Sequence, residues 1–103
     1  MNDNRSANPT SFALSQAYPN PFNPVTKIKY ELPMESHVKL TVYNVLGRTV
    51  KILIDGIESA GYKNMTWYAS DFTSGIYFYR LDAVSLTDPG KSFTRVKKAI
   101  LIK

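Results

Sequence analysis

Apolar and polar side chains alternate with a period of two along most of this chain, and no window carries the 3.6-residue period of an amphipathic helix. In TKIKYEL, Thr26 to Leu32, the apolar Ile28, Tyr30 and Leu32 fall on one side and Lys27, Lys29 and Glu31 on the other. This predicts a half-buried strand. Pro33, Glu35 and Ser36 interrupt it, and from His37 to Val45 the alternation resumes with Val38, Leu40 and Val42 set against Lys39 and Thr41. The two segments are expected to form an antiparallel pair.

Gly47 sits where the next turn needs a positive φ, and Thr49 to Ile54 returns as a third strand that Asp55-Gly56 is expected to close. Tyr62 to Tyr68 carries Met65 and Trp67 on one face and Asn64, Thr66 and Tyr68 on the other. Trp67 is the largest side chain present and belongs at the core centre. From Ile76 to Val84, Tyr77, Tyr79, Leu81 and Ala83 share the inward side, with Phe78, Arg80 and Asp82 opposite. Asp88-Pro89-Gly90-Lys91 makes a turn, and Phe93 to Ile102 forms the last strand. With a short lead strand near Phe12 to Gln16 the count is about seven strands with turns at sandwich spacing, so the class is all-β, an antiparallel β-sandwich. Tyr77 lies just inside a strand after the turn at Thr73-Ser74-Gly75. That is the setting of a tyrosine corner, whose hydroxyl bonds back to upstream backbone.

The entry segment YPNPFNP breaks the alternation. Pro19, Pro21 and Pro24 fix their own φ and steer Tyr18, Asn20 and Asn23 toward extended geometry. The segment has little freedom to lose: locally it is either an ordered lead-in or a linker, and with the rest of the chain it is expected to be an ordered edge segment whose Phe22 and Tyr18 cap the sandwich near Trp67. Residues 1–11 are polar and without period; they are expected to be a disordered linker remnant behind an added Met1, leaving one domain over 12–103.

Composition narrows the classes. At 103 residues, 44% hydrophobic and 13% aromatic, the chain can bury one core and is not of disordered type. The absence of cysteine removes disulfides, thiolate nucleophiles and Cys-based zinc sites. No run approaches the roughly 18 apolar residues of a membrane-spanning helix, and the start lacks the shape of a signal peptide. Either the protein is cytoplasmic or the chain is a fragment whose export signal lies elsewhere, and the polar, aperiodic start MNDNRSANPTS favours the fragment. The net charge of +5 is uneven: Lys91, Arg95, Lys97, Lys98 and Lys103 occur with no acid among them. Outward lysines commonly protect an edge strand, and with no recognition helix a nucleic-acid partner is not expected.

Catalytic signatures are missing. His37 is the sole histidine and no Ser sits in a nucleophile elbow, so no catalytic residue is assigned. Asp55 and Glu58 lack the spacing of a calcium loop; no metal or cofactor site is expected. Tyr43, Tyr68 and Phe78 point away from the assigned core and could stack on sugars in a row, or be covered by loops or a neighbour.

Several stretches together resemble one family. YPNPFNP followed by Thr26, Ile28, Tyr30 and Leu32, then VYNVLGRTV at 42–50, SGIYFYRL at 74–81 and KKAILIK at 97–103 are similar to the type A C-terminal sorting domain of the type IX (Por) secretion system of Bacteroidetes-type bacteria. The resemblance covers residues 14–103. It implies a seven-stranded immunoglobulin-like sandwich without enzymatic activity that directs an attached cargo through the periplasm and across the outer membrane to the cell surface or medium. Its implied partners are the type IX machinery and a sortase-like peptidase that cuts within residues 1–13 and anchors the cargo to lipopolysaccharide. The resemblance assigns sorting or recognition to Gly75, Tyr77, Lys97, Lys98, Ile100, Leu101, Ile102 and Lys103, and a structural role to Pro19, Asn20, Pro21, Phe22, Asn23, Pro24, Gly47 and Trp67. Asn44 stands where the family often has Asp.

Two alternatives share features with this reading. The Ig-like domain of the flagellar hook-capping protein has a similar entry and a VYDVLGR-like turn, and a carbohydrate-binding module of a secreted glycosidase would account for the aromatic faces. The sorting reading expects a monomer with no membrane insertion. It also expects a free edge on the last strand, able to accept a partner strand while its lysines steer an acidic receptor.

Overall fold

The computed structural model describes residues 8–103. Residues 1–7, most of the expected linker and cleavage region, lie outside the described residues.

Seven strands form: β1 (Ala13–Leu14), β2 (Val25–Leu32), β3 (Ser36–Tyr43), β4 (Thr49–Glu58), β5 (Gly61–Tyr68), β6 (Gly75–Ser85) and β7 (Ser92–Leu101). They build two antiparallel sheets, β1-β2-β5 and β4-β3-β6-β7, the layers of an immunoglobulin-like sandwich. Among the described residues no helix is long and apolar enough to cross a membrane.

The inward faces are those the alternation predicts. Ile28, Tyr30 and Leu32 of one sheet and Val38, Leu40, Val42, Tyr79 and Leu81 of the other are buried. Trp67 is 1% exposed and takes Phe22, Phe72 and Tyr77 around it, with ring centroids at 5.1, 5.5 and 5.6 Å. Phe72 and Tyr77 both meet the indole edge to face, the orientation that aromatic quadrupoles favour. The Tyr77 hydroxyl donates to the Thr73 carbonyl at 2.6 Å, closing the tyrosine corner.

Three expectations are corrected. β2 and β3 do not pair; they lie in different sheets. Each carries a one-sided apolar stripe, and the chain at Pro33–Glu35 arches between layers so that the stripes face each other across the core instead of lying side by side. Asp55-Gly56 is no turn. β4 runs on to Glu58, Asp55 opposite Lys39 and Gly56 opposite Val38, because β3 still offers ladder partners there. His37 Nε2 lies 3.4 Å from Asp55 Oδ1 across this ladder, and the Glu58 carboxylate accepts the Tyr30 hydroxyl proton across the sandwich.

Tyr18 is the third correction. It is 82% exposed, since its backbone bonds Lys27 in both directions and its ring follows the Lys27 side chain to the solvent face of the sheet. Only Phe22 of the entry segment enters the core.

The β3–β4 hairpin turns on Asn44. Asn44 Oδ1 accepts the amides of Leu46 and Arg48, each at 3.0 Å, and Gly47 takes φ +81°. A carboxamide oxygen serves this turn as a carboxylate would.

Candidate functional site

The residues before β2 travel from one sheet to the other. Ala13 and Leu14 pair with Glu31 and Tyr30, Ser15 N–H donates to the Lys29 carbonyl, and Tyr18 pairs with Lys27, so the free edge of β2 is covered. The Thr26 hydroxyl holds the Pro19 carbonyl at 2.7 Å. Tyr79 ties the crossing down from β6: its hydroxyl accepts from Ala17 N–H at 2.7 Å and donates to the Ser15 carbonyl at 2.8 Å. Burial pushes the Tyr79 phenol up to about 12, partly opposed by the Ala17 amide.

The chain then reaches β7. Phe22 N–H donates to the Ile100 carbonyl and Ile102 N–H donates to the Phe22 carbonyl, both at 2.9 Å, a parallel bridge beside Leu101. Pro21 and Pro24 flank this bridge and have no N–H to offer, so side chains extend the pairing. Asn20 accepts Ile100 N–H at 2.8 Å and donates to the Lys98 carbonyl at 3.1 Å, while Gln16 Nε2 reaches the same carbonyl at 2.6 Å. YPNPFNP and KKAILIK, at opposite ends of the sequence, form one structure.

This arrangement corrects the expectation of a free last edge. From the Lys98 carbonyl to the Ile102 amide the outward backbone groups of β7 are already bonded within the chain, and the open stretch runs along Thr94, Val96 and the Lys98 amide. A partner strand cannot add to the KKAILIK edge while the entry segment holds it.

The sequence-assigned residues fall into two sets. Tyr77 and Leu101 are buried, the latter 1% exposed and opposite Gly75, whose φ of +155° opens β6. Lys97 is half-buried on the inward side of β7. Lys98, Ile102 and Lys103 are exposed and Ile100 is half-exposed. Lys103 is held at both ends: its N–H donates to Ser74 Oγ at 3.0 Å and its ammonium reaches the Ser70 carbonyl. Lys98 and Ile100 share the solvent face with Ile76 and Phe78, their cross-strand partners, in a strip that is apolar with a basic rim.

Sequence reasoning missed Gln16, Tyr79 and Ser74, which join the entry segment, β6 and the last residues. A signal existed for the first: three prolines remove three ladder donors, so an ordered segment here needs polar side chains close by. Tyr43, Phe78 and Tyr68 do not make one row. The first two lie on the four-stranded sheet, where Arg80 covers Tyr43 at 5.2 Å, and Tyr68 lies on the other sheet.

Among the described residues no group of His, Cys, Asp or Glu could hold a metal ion. What this region offers is a shaped surface on a rigid support. The family model of the secretion system C-terminal sorting domain matches residues 16–98, most of the sandwich and its entry segment, and the chain belongs to that family. It is therefore a sorting-signal domain of type IX secretion, a class that acts by engaging the secretion machinery and marks proteins for the cell surface or the medium. No curated protein matches the chain. Of the assigned recognition residues, Gly75, Tyr77, Lys97 and Lys98 fall inside the matched span and Ile100 to Lys103 beyond it.

Proposed function

We propose that residues 12–103 act as a non-catalytic label that carries an attached cargo through the periplasm and across the outer membrane, where a sortase-like peptidase cuts within residues 1–13 and anchors the cargo to surface lipopolysaccharide. The family match is the observation that carries this reading. The export machinery reads side chains, since the edge backbone near the end of β7 is occupied. Lys98, Ile100, Ile102 and Lys103 are the contact residues, with Lys97 at their margin. Gly75, Tyr77 and Leu101 hold the strand in place from below, as do Trp67, Phe22 and the entry prolines.

A reporter fused before residue 12 tests this. Export is expected with residues 12–103 and is expected to fail when 97–103 are removed. Because that deletion also strips the core of Leu101, the exposed pair Ile102→Asp and Lys103→Glu is tested beside it. The fold is expected to survive and export to drop by at least about tenfold. Equal export of all three reporters would overturn the proposal.

A further inference from the structure

A β-sandwich must manage its sheet edges, because unpaired backbone groups in a row recruit other strands. Three of the four edges here are blunted. The β2 edge is covered by residues 13–18, with β1 at its start. The β7 edge is held from Lys98 onward, and its open part lies beside Arg95 and Lys97. β4 is interrupted twice, by irregularities between its pairings with Leu40 and Thr41 and with Val42 and Tyr43. Bulges of this kind twist an edge away from regular pairing.

β5 is different. It pairs with β2 over eight consecutive positions without a bulge, contains no proline, and has Lys63 as its one charge. Its free groups can be placed by phase. Lys27 spends its N–H and C=O on Tyr18, so alternation turns the groups of Thr26, Ile28 and Tyr30 toward β5, onto Trp67, Met65 and Lys63. The N–H and C=O groups of Tyr62, Asn64, Thr66 and Tyr68 therefore point outward, with no partner strand among the described residues. Tyr62 and Tyr68 are also 60% and 71% exposed, large rings at either end of this edge.

We infer that the occupant of the β5 edge is the β5 edge of a second copy, paired antiparallel about a two-fold axis at Met65. The sequence of the strand is self-complementary in that register. Tyr62 falls opposite Tyr68, Asn64 opposite Thr66, and Lys63 opposite Trp67. Both pairs of outward residues are hydrogen-bonding pairs, both exposed rings gain an aromatic cross-strand neighbour, and no charge meets its like. Shifting the axis by one residue leaves Tyr68 opposite Asn64 or beyond the partner strand. The three-stranded sheet becomes continuous across the pair. The monomer expected from sequence then holds only in dilute solution, since one strand pair makes a small interface and dissociation falls on the order of 10–100 µM.

The test uses the full 103-residue chain in sedimentation equilibrium. The apparent mass is expected to rise from one chain toward two between low micromolar and millimolar concentration. Thr66→Pro removes an outward N–H that β2 does not use, so it should keep the far-UV spectrum and stay at one chain throughout. The absence of native cysteine gives a readout of register. Met65→Cys faces itself across the axis at a non-hydrogen-bonded pair, about 4.5 Å between Cα atoms, and should form a disulfide-linked dimer on oxidation. Lys63→Cys lies about 14 Å from its own copy and should cross-link at least about tenfold more slowly. A mass that never rises, a Thr66→Pro variant that dimerises as well as the parent, or equal cross-linking of the two cysteine variants would each overturn the inference.

Discussion

Asn20 and Ile100 lie 80 residues apart and are joined at 2.8 Å, with the carboxamide oxygen of one accepting the amide of the other. The same carboxamide donates to the Lys98 carbonyl at 3.1 Å. Asn20 thus replaces, with one side chain, the two bonds a neighbouring strand would make to β7.

Asn20→Ala should remove both bonds and leave the Ile100 amide on an open edge. Two lost hydrogen bonds of ordinary strength cost about 1–2 kcal/mol, or about 4–15 °C in Tm for a domain of this size. Hydrogen exchange gives the local signature: the Ile100 amide should exchange at least about tenfold faster than in the parent, after correction for global stability. Unchanged exchange at Ile100 would show that the bond does not protect that edge.

Trp67→Ala should be the most damaging single change in the core. The indole packs against the rings of Phe22, Phe72 and Tyr77, and truncating a fully buried aromatic costs about 3–5 kcal/mol. Denaturant unfolding followed by far-UV circular dichroism reads this directly. A loss below about 1 kcal/mol would mean that Phe22, Phe72 and Tyr77 close the space.

Tyr77→Phe keeps the ring in that cluster and deletes the bond to Thr73. The expected cost is about 1 kcal/mol, with the Thr73 carbonyl left to find water. Urea unfolding should shift its midpoint without a change in slope, because the core area is retained.

Stability should fall between about pH 10 and 12. Burial raises the Tyr79 phenol from its ordinary value of 10.0 to about 12, and the Tyr30 phenol, buried and bonded to the Glu58 carboxylate, is raised further. The unfolded chain releases these protons first, so it is the favoured state as pH climbs through this window; below pH 10 the contribution is complete. Tyr79→Phe should be less stable near neutral pH, with Ala17 N–H and Ser15 C=O unpaired, yet lose less on going to pH 12. Parallel pH profiles of parent and variant would refute the assignment.

Much of the fold was legible because strand burial has a period of two. Ile28, Tyr30 and Leu32, or Tyr77, Tyr79, Leu81 and Ala83, declare one buried face by spacing alone, and Trp67 by size. Gly47 and Tyr77 were readable too, since a left-handed turn residue and a tyrosine corner are local. Pairing was not. The stripes of β2 and β3 suit a hairpin and a cross-sandwich arch equally, because each strand needs only an apolar surface opposite its own. Tyr18 went wrong for a similar reason: its neighbour Lys27, not its own hydrophobicity, chose its face.

Spacing, size and turn residues were enough for the class, the inward faces, the aromatic centre and, through four ordered motifs, the family. Those depend on local pattern, and local pattern is carried by neighbours in the chain. It took the folded molecule to lay the entry segment over the end of the last strand, to set Tyr77 and Leu101 beneath the surface that Lys98 and Ile102 present, and to leave β5 with a bare edge. The first of these joins residues about 80 positions apart. Hydrogen-bond partners at that range are chosen by which edges the packing of two sheets brings together, and no spacing along the chain records it.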